Sequence, residues 1–420
     1  MKLGVRAFRQ REQLDIFSPM PRHNALAQPH KPAMEHHQVA GIFAGIGGIE
    51  LGLARSGHEA NLLCEIEPSA LAVLEERFPS VKRVADVTRL AKIPDATTLV
   101  TAGFPCQDLS QAGRTAGIDG ARSGLIREVF RLLAKRRVPW VLLENVSFML
   151  RLARGDAMRF VVDELERLGY RWAYRVMDTR AFGLPQRRER VYLVACLPEV
   201  GDPRDVLLSI DHGAPATPKD YRSYANGFYW TEGIRGLGWA VNAVPTLKGG
   251  STIGIPSPPA IWMPNGEIVK PDIRDAERLQ GFPADWTEPA LSLDRVGRRW
   301  KLVGNAVSVV AAEWIGQQLR NPQSYDPSFD LPLDAKSSWP GAAWSMGLGQ
   351  RYASTVSRWP TAAVSTLLAD FFAYPLVPLS ERATAGFLSR TRVSSLRFPE
   401  GLISDLEEHL RVVHRESAVA

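Results

Sequence analysis

Between residues 38 and 198 short apolar runs alternate with amphipathic stretches, and this rhythm most narrows the folds open to the chain. Gln38-Val-Ala-Gly-Ile-Phe43 reads as a strand and Gly48 to Ser56 as the helix after it. Ala60 to Glu65 is a second strand. Pro68 to Phe78 is a helix whose first position suits proline, because no backbone N–H is needed there. A short strand before Asp86, a strand ending at Gly103, a helix near Ser123 to Lys135, a strand from Trp140 to Glu144 and a helix near Asp156 to Leu168 continue the pattern. Arg171 to Met177 and Arg190 to Leu197 are predicted as two further strands. Such repetition predicts an α/β fold: a parallel sheet with helices on both faces, its site at the carboxyl ends of the strands.

The rest of the 420-residue chain divides by composition. Residues 1–37 are polar and lack periodicity, as in an arm. The catalytic domain is expected over 38–199, completed by 276–320, where Asp275 to Gln280 and Ala306 to Leu319 read as helices. Residues 200–275, rich in Gly, Pro and aromatics, suit a small irregular domain. A Pro/Ser/Asp-rich linker from Asn321 to Ser338 opens a C-terminal extension, 321–420. No apolar run reaches the ~18 residues of a membrane span, and the first residues lack the apolar core of a signal peptide, so a cytoplasmic protein is expected. A net charge of +6 favours a polyanionic partner. The three cysteines show no paired spacing, so neither a disulfide framework nor a zinc site is indicated. Cys64 and Cys196 lie in strand-like runs and read as core residues.

Cys106 differs. In Gly103-Phe104-Pro105-Cys106-Gln107 a thiol follows an apolar strand at a fixed turn, among the polar residues Gln107, Asp108 and Ser110, and reads as a nucleophile rather than a packed cysteine. Glu144, ending the next strand, falls at the same sheet edge; a solvated carboxylate or helix cap is the rival reading. Phe43-Ala-Gly45-Ile-Gly47-Gly48 lies between strand and helix, where small residues let a cofactor approach the backbone. Glu65 ends the next strand, the place for a carboxylate that binds ribose hydroxyls. These two features fit a nicotinamide dehydrogenase as well as a methyltransferase, and also a plain tight turn. In Gln186-Arg187-Arg188-Glu189-Arg190 alternation puts Gln186, Arg188 and Arg190 on one face, leading into a strand; a solvated basic face is the alternative. Gly304-Asn305-Ala306-Val307 reads as a helix start with a capping Asn.

Taken in order, FAGIGG, an acid after strand two, an Asp after strand three, FPCQ, ENV, QRRER, RLQGFP at Arg278 to Pro283 and GNAV resemble the cytosine-5 DNA methyltransferase family of bacterial restriction-modification systems over residues 38–320. The resemblance implies a Rossmann-like, S-adenosylmethionine-dependent methyltransferase sheet, with the small domain reading the target. It implies S-adenosylmethionine held by Phe43 against adenine, Glu65 at the ribose and Asp86 near the adenine amino group, with Gly45, Gly47, Gly48, Ile66, Val87, Pro105, Asn305 and Ala306 around it. Cys106, Glu144, Arg188 and Arg190 are the implied catalytic set, with Arg190 holding the base carbonyl and Arg188 and Gln186 ordering the nearby loop and backbone. The family often carries Asp two positions before the Phe; here that position is Gly41.

The implied substrate is a cytosine rotated out of double-stranded DNA. Gln107, Ser110, Gln186, Arg298 and Arg299 are candidate DNA contacts, and Arg222, Arg235 and Lys248 lie among the small domain's aromatics, which otherwise read as its core. The extension, with Trp339, Trp344, Trp359 and Arg382, Arg390, Arg392 and Arg397, either touches DNA or packs as an independent module. A monomer on DNA, with a separately encoded restriction endonuclease or other defence proteins, is the expected setting. The competing readings are an RNA cytosine methyltransferase and a DNA-binding regulator with a silent site.

Overall fold

The computed structural model describes residues 36–105, 125–216, 218, 220–249, 256–293, 297–334, 337–347 and 349–419. The elements of the first half, in chain order, are β1 Gln38–Ile42, α1 Gly48–Arg55, β2 Glu59–Cys64, α2 Pro68–Arg77, β3 Lys82–Val84, β4 Leu99–Gly103, α3 Leu125–Lys135, β5 Trp140–Val146, α4 Asp156–Arg167, β6 Arg171–Asp178, β7 Gln186–Arg187 and β8 Glu189–Cys196. Then come α5 Pro203–Leu207, β9 Asn226–Phe228, β10 Ala240–Val241, β11 Val244–Pro245, β12 Ala260–Trp262, β13 Ile268–Lys270, α6 Ile273–Leu279, α7 Gly297–Asn305 and α8 Val309–Arg320. The remainder holds β14 Leu331–Pro332, β15 Ala342–Ser345, β16 Arg351–Ala353, α9 Leu368–Phe371, β17 Val377–Pro378, α10 Glu381–Thr391 and α11 Leu402–Val419.

The large sheet runs β14-β16-β15-β6-β8-β5-β4-β1-β2-β3. β3, β2, β1, β4 and β5 are mutually parallel, and β8 enters antiparallel between β5 and β6. The chain order reverses between β1 and β4, the switch point where open α/β sheets place ligands. Apolar faces of α3 and α4 bury Val129, Leu133, Val161 and Leu165 on one side of the sheet. On the other side Ile49 and Leu53 of α1 pack with Ile315 and Leu319 of α8. Cys64 and Cys196 are buried free thiols in the strands. Among the described residues no helix is long and apolar enough to cross a membrane.

A second sheet, β10-β9-β12-β13-β17, is built mainly from the 200–275 region. Its aromatics form its core: Phe228 and Trp262 are buried with Phe387, and Tyr221, Trp230 and Trp239 pack around them. The chain after residue 320 is not one independent module. Its first strands extend the large sheet, β15 pairing antiparallel with β6, while β17 pairs with β13 as the last strand of the small sheet.

One helix boundary departs from the sequence reading. Gly304-Asn305 ends α7, and α8 starts afresh at Val309 with Ser308 as its N-cap residue. The chain packs closely at this junction: a Cβ on Gly304 would fall 2.2 Å from the carbonyl carbon of Lys248.

Candidate active site

The site grows from the strand ends at the switch point. Phe43, half-buried after β1, holds φ at 57°, a left-handed value uncommon for an aromatic residue. Gly47 follows at φ 82° as the N-cap position of α1, a conformation that glycine adopts without strain. Gly47, which has no side chain, gives α1 no side-chain cap. Glu65 closes this turn against the end of β2. Its carboxylate accepts N–H bonds from Gly45 at 2.8 Å, Ile66 at 2.9 Å and Glu67 at 2.8 Å.

Three observations fit this cradle to a nucleoside-bearing cofactor. A Cβ at Gly45 would meet no heavy atom within 4 Å, so the turn faces open space. Ile66 leaves 68 % of its surface exposed at the end of β2, an apolar platform for a flat ring. Asp86, after β3, keeps a partly exposed carboxylate whose Oδ1 accepts from Thr88 N and Oγ1. Those bonds hold its pKa below the usual carboxylate value. Val87, beside it, is buried.

Gly41 resolves the departure noted in the sequence. A Cβ there would lie 2.2 Å from Oε1 of Glu50 on α1, so the Glu50 carboxylate fills the space that a side chain at 41 would take. Glu50 is fully buried, accepts from Thr101 Oγ1 at 2.9 Å, and burial pushes its pKa up to about 7. The sequence reading did not include Glu50; an acid two positions after the glycine run was the available signal.

The acid of the site lies one strand over. Parallel pairing sets Glu144 of β5 opposite Gly103, the last residue of β4. Glu144 is 7 % exposed, and burial raises its pKa, against the lowering influence of Arg190 and Arg188. Arg190 Nε stands 3.2 Å from Glu144 Oε1 and its Nη1 donates to the Glu189 carbonyl. Asn145 ties the two strand ends together, donating from Nδ2 to the Phe104 carbonyl at 2.9 Å. It was legible only as the middle letter of ENV. Pro105 is exposed just beyond. Cys106, Gln107 and Ser110 lie outside the described residues.

Arg188 takes a different part from Arg190. Its guanidinium is 1 % exposed and donates to the carbonyls of Ala306 at 2.5 Å, Leu247 at 3.3 Å and Gly304 at 3.4 Å. Burial and the neighbouring Arg190 bring its pKa down to about 9. It therefore orders the backbone around the site. Asn305 is exposed and Ala306 buried at this junction, with Asn305 Oδ1 beside Gly249.

Two of the expected DNA contacts, Gln186 and Arg299, need correction. Gln186 is completely buried, donating to the Leu279 carbonyl and accepting from Leu247 N, so it locks the loop instead. Arg299 is consumed by Glu277 at 2.9 Å, Asp285 at 3.1 Å and Thr287 Oγ1 at 2.9 Å. Arg298 is half-buried and not free. Lys248 pairs with Glu232 over the Tyr229 ring, and Arg222 lies over Trp262.

Comparison with known proteins settles the family. Residues 37–225 match C-5 cytosine-specific DNA methylase. Type II methyltransferase M2.BsuMI of Bacillus subtilis (strain 168) is 49 % identical over 384 residues, covering 88 % of this chain and 97 % of that protein. The chain belongs to the C-5 cytosine-specific DNA methylases. Type II methyltransferase M.MspI of Moraxella sp is similar to this methylase at 27 % identity over 320 residues, covering 70 % of this chain and 74 % of its own. The S. pombe Dnmt2 methyltransferase structure shares the fold, with a TM-score of 0.51 and 18 % identity over 67 % of this chain and 98 % of that one. The methylase thus has the Rossmann-like fold of S-adenosylmethionine-dependent methyltransferases.

Proposed function

We propose that this methylase transfers a methyl group from S-adenosylmethionine to carbon 5 of a cytosine in a specific duplex DNA sequence, through a covalent adduct of Cys106. The observation that carries the reading is the buried Glu144–Arg190 pair, held across from the strand that runs into Pro105-Cys106. Carbon 5 of cytosine is too electron-poor to attack a methyl donor unaided. Addition of the Cys106 thiolate to carbon 6 moves electron density through the ring to carbon 5.

Glu144, whose pKa burial raises, shares a proton with the ring nitrogen and so offsets the negative charge developing there. Arg190 faces the base carbonyl, and Asn145 fixes the end of β4 against β5. Bound S-adenosylmethionine supplies the electrophilic methyl; Glu65, Ile66, Asp86 and the turn 43–48 would hold it. Once carbon 5 carries the methyl, a base removes its proton, the carbon 5–carbon 6 double bond re-forms and the thiolate leaves. Stacking hides carbon 6 inside a duplex, so the target must be extruded at a cost of a few kcal/mol.

Relatives named type II methyltransferases support a restriction-modification setting, with a separately encoded nuclease as partner and one subunit acting on DNA in the cytoplasm. The test is expression of the wild type and of Cys106→Ala in a host free of cytosine methylation, followed by bisulfite sequencing. Methylation at one short sequence, lost in the variant, is expected. A soluble wild type that leaves host DNA unmodified would redirect the reading to RNA or to a silent regulator.

A further inference from the structure

The extension after residue 320 reaches the neighbourhood of the active site through the small sheet. Phe387, Leu388, Leu402 and Leu406 of α10 and α11 share one buried cluster with Phe228 and Trp262. At the end of α10, Arg390 donates to the carbonyls of Trp230 at 2.5 Å and Glu232 at 2.8 Å, and Ser394 Oγ donates to the Ile234 carbonyl at 3.0 Å. The turn 232–236 and the segment 390–394 therefore form one surface. Glu232 in that turn pairs with Lys248. The Lys248 backbone abuts Gly304, whose carbonyl Arg188 holds. An unbroken series of contacts thus joins this surface to the site.

Its outer side is both basic and apolar. Arg235 and Arg392 are exposed, and neither meets a carboxylate among the described residues, Glu232 being already taken by Lys248. Some other exposed arginines are paired instead, as Arg167 with Glu164, Arg358 with Glu189 and Arg411 with Glu408. Beside the two guanidiniums Ile234 is 45 % and Val393 75 % exposed. Free cations around a small apolar patch suit a polyanion that also presents apolar edges, and double-stranded DNA has both properties.

We propose that Arg235 and Arg392, flanking Ile234 and Val393, form a duplex-DNA contact surface to which the C-terminal extension contributes directly. The guanidiniums engage phosphates, and the apolar pair lies toward sugars or thymine methyl groups. This rests on the reading that the substrate is duplex DNA.

The test uses the full chain, the double variant Arg235→Gln/Arg392→Gln, and Arg411→Gln as a control for a paired surface arginine. Binding to a duplex carrying the sequence that the wild type methylates is measured across a salt series. Two lost phosphate contacts should flatten the plot of log affinity against log salt by about 1.8, at about 0.9 per contact. The Arg411 variant should keep the wild-type slope, and S-adenosylhomocysteine binding should stay unchanged in both variants. A double variant with normal circular dichroism and the wild-type slope would overturn the surface. A wild type that neither binds nor methylates duplex DNA would overturn the reading beneath it, a failure visible before any variant is compared.

Discussion

Acid should destabilise this protein through a histidine at the edge of β1 remote from the active site. His37 is completely buried, stacked on His58 at 5.1 Å and near Trp140. Nδ1 meets Thr98 Oγ1 at 3.1 Å, while Nε2 is buried without a partner. His58 Nδ1 accepts from His37 N, so its other nitrogen carries the proton toward the Gly316 carbonyl. Burial, and then the neighbouring His58, bring the His37 pKa down to about 4 from 6.5. The folded state therefore binds this proton less readily than the unfolded chain. Its stability is intact above pH 6.5 and falls as pH drops toward 4, because the unfolded chain takes up the proton first. Between pH 7.5 and pH 5 the two pKa values give a loss of about 2 kcal/mol from this one group. Urea unfolding of the wild type and of His37→Gln at both pH values isolates it, since every other titrating group is common to the two. The variant should be less sensitive to acid by that amount. Equal losses in the two proteins would refute the assignment of His37 as a buried neutral imidazole.

Three further outcomes test the site and its supports. Glu144→Gln should bind duplex DNA but lower methyl transfer by roughly 10²–10⁴-fold, the usual contribution of a positioned general acid, measured as single-turnover methylation. Arg299→Ala strands Glu277, which has no exposed surface, and should cost about 3–5 kcal/mol of stability while leaving the affinity of the folded fraction for DNA unchanged. Gly304→Ala forces a Cβ onto the Lys248 backbone, which cannot swing aside as a side chain can, and should destabilise by about 1–3 kcal/mol or more; thermal unfolding measures it.

Most strands and helices up to residue 196 were legible because they are apolar runs or amphipathic stretches long enough to show a period; the two-residue β7 was not. The site residues at strand ends were legible for the same reason: Gly103 and Glu144 end runs that parallel pairing sets side by side. Burial of polar groups was not. Gln186 and Arg188 were expected to order a nearby loop, but the carbonyls that enclose them belong to residues 247, 279 and 304–306, distant in sequence. Arg298 and Arg299 look alike in the chain; about 100° of helical turn separates them and sends Arg299 into the Glu277 pair. The strands after residue 320 span two to four residues, too few for a period of two to stand out.

The placement of those late strands has a consequence for synthesis. β15 covers the β6 edge of the large sheet, and β17 supplies the last strand of the small one. Until both have left the ribosome, the nascent protein carries an uncovered β6 edge and an incomplete small sheet. Unpaired edges of this kind template association with other chains. The final assembly step must bring together segments far apart in sequence, which slows folding. Translation that stops before residue 378 should therefore yield an aggregation-prone product rather than a methylase of relaxed specificity.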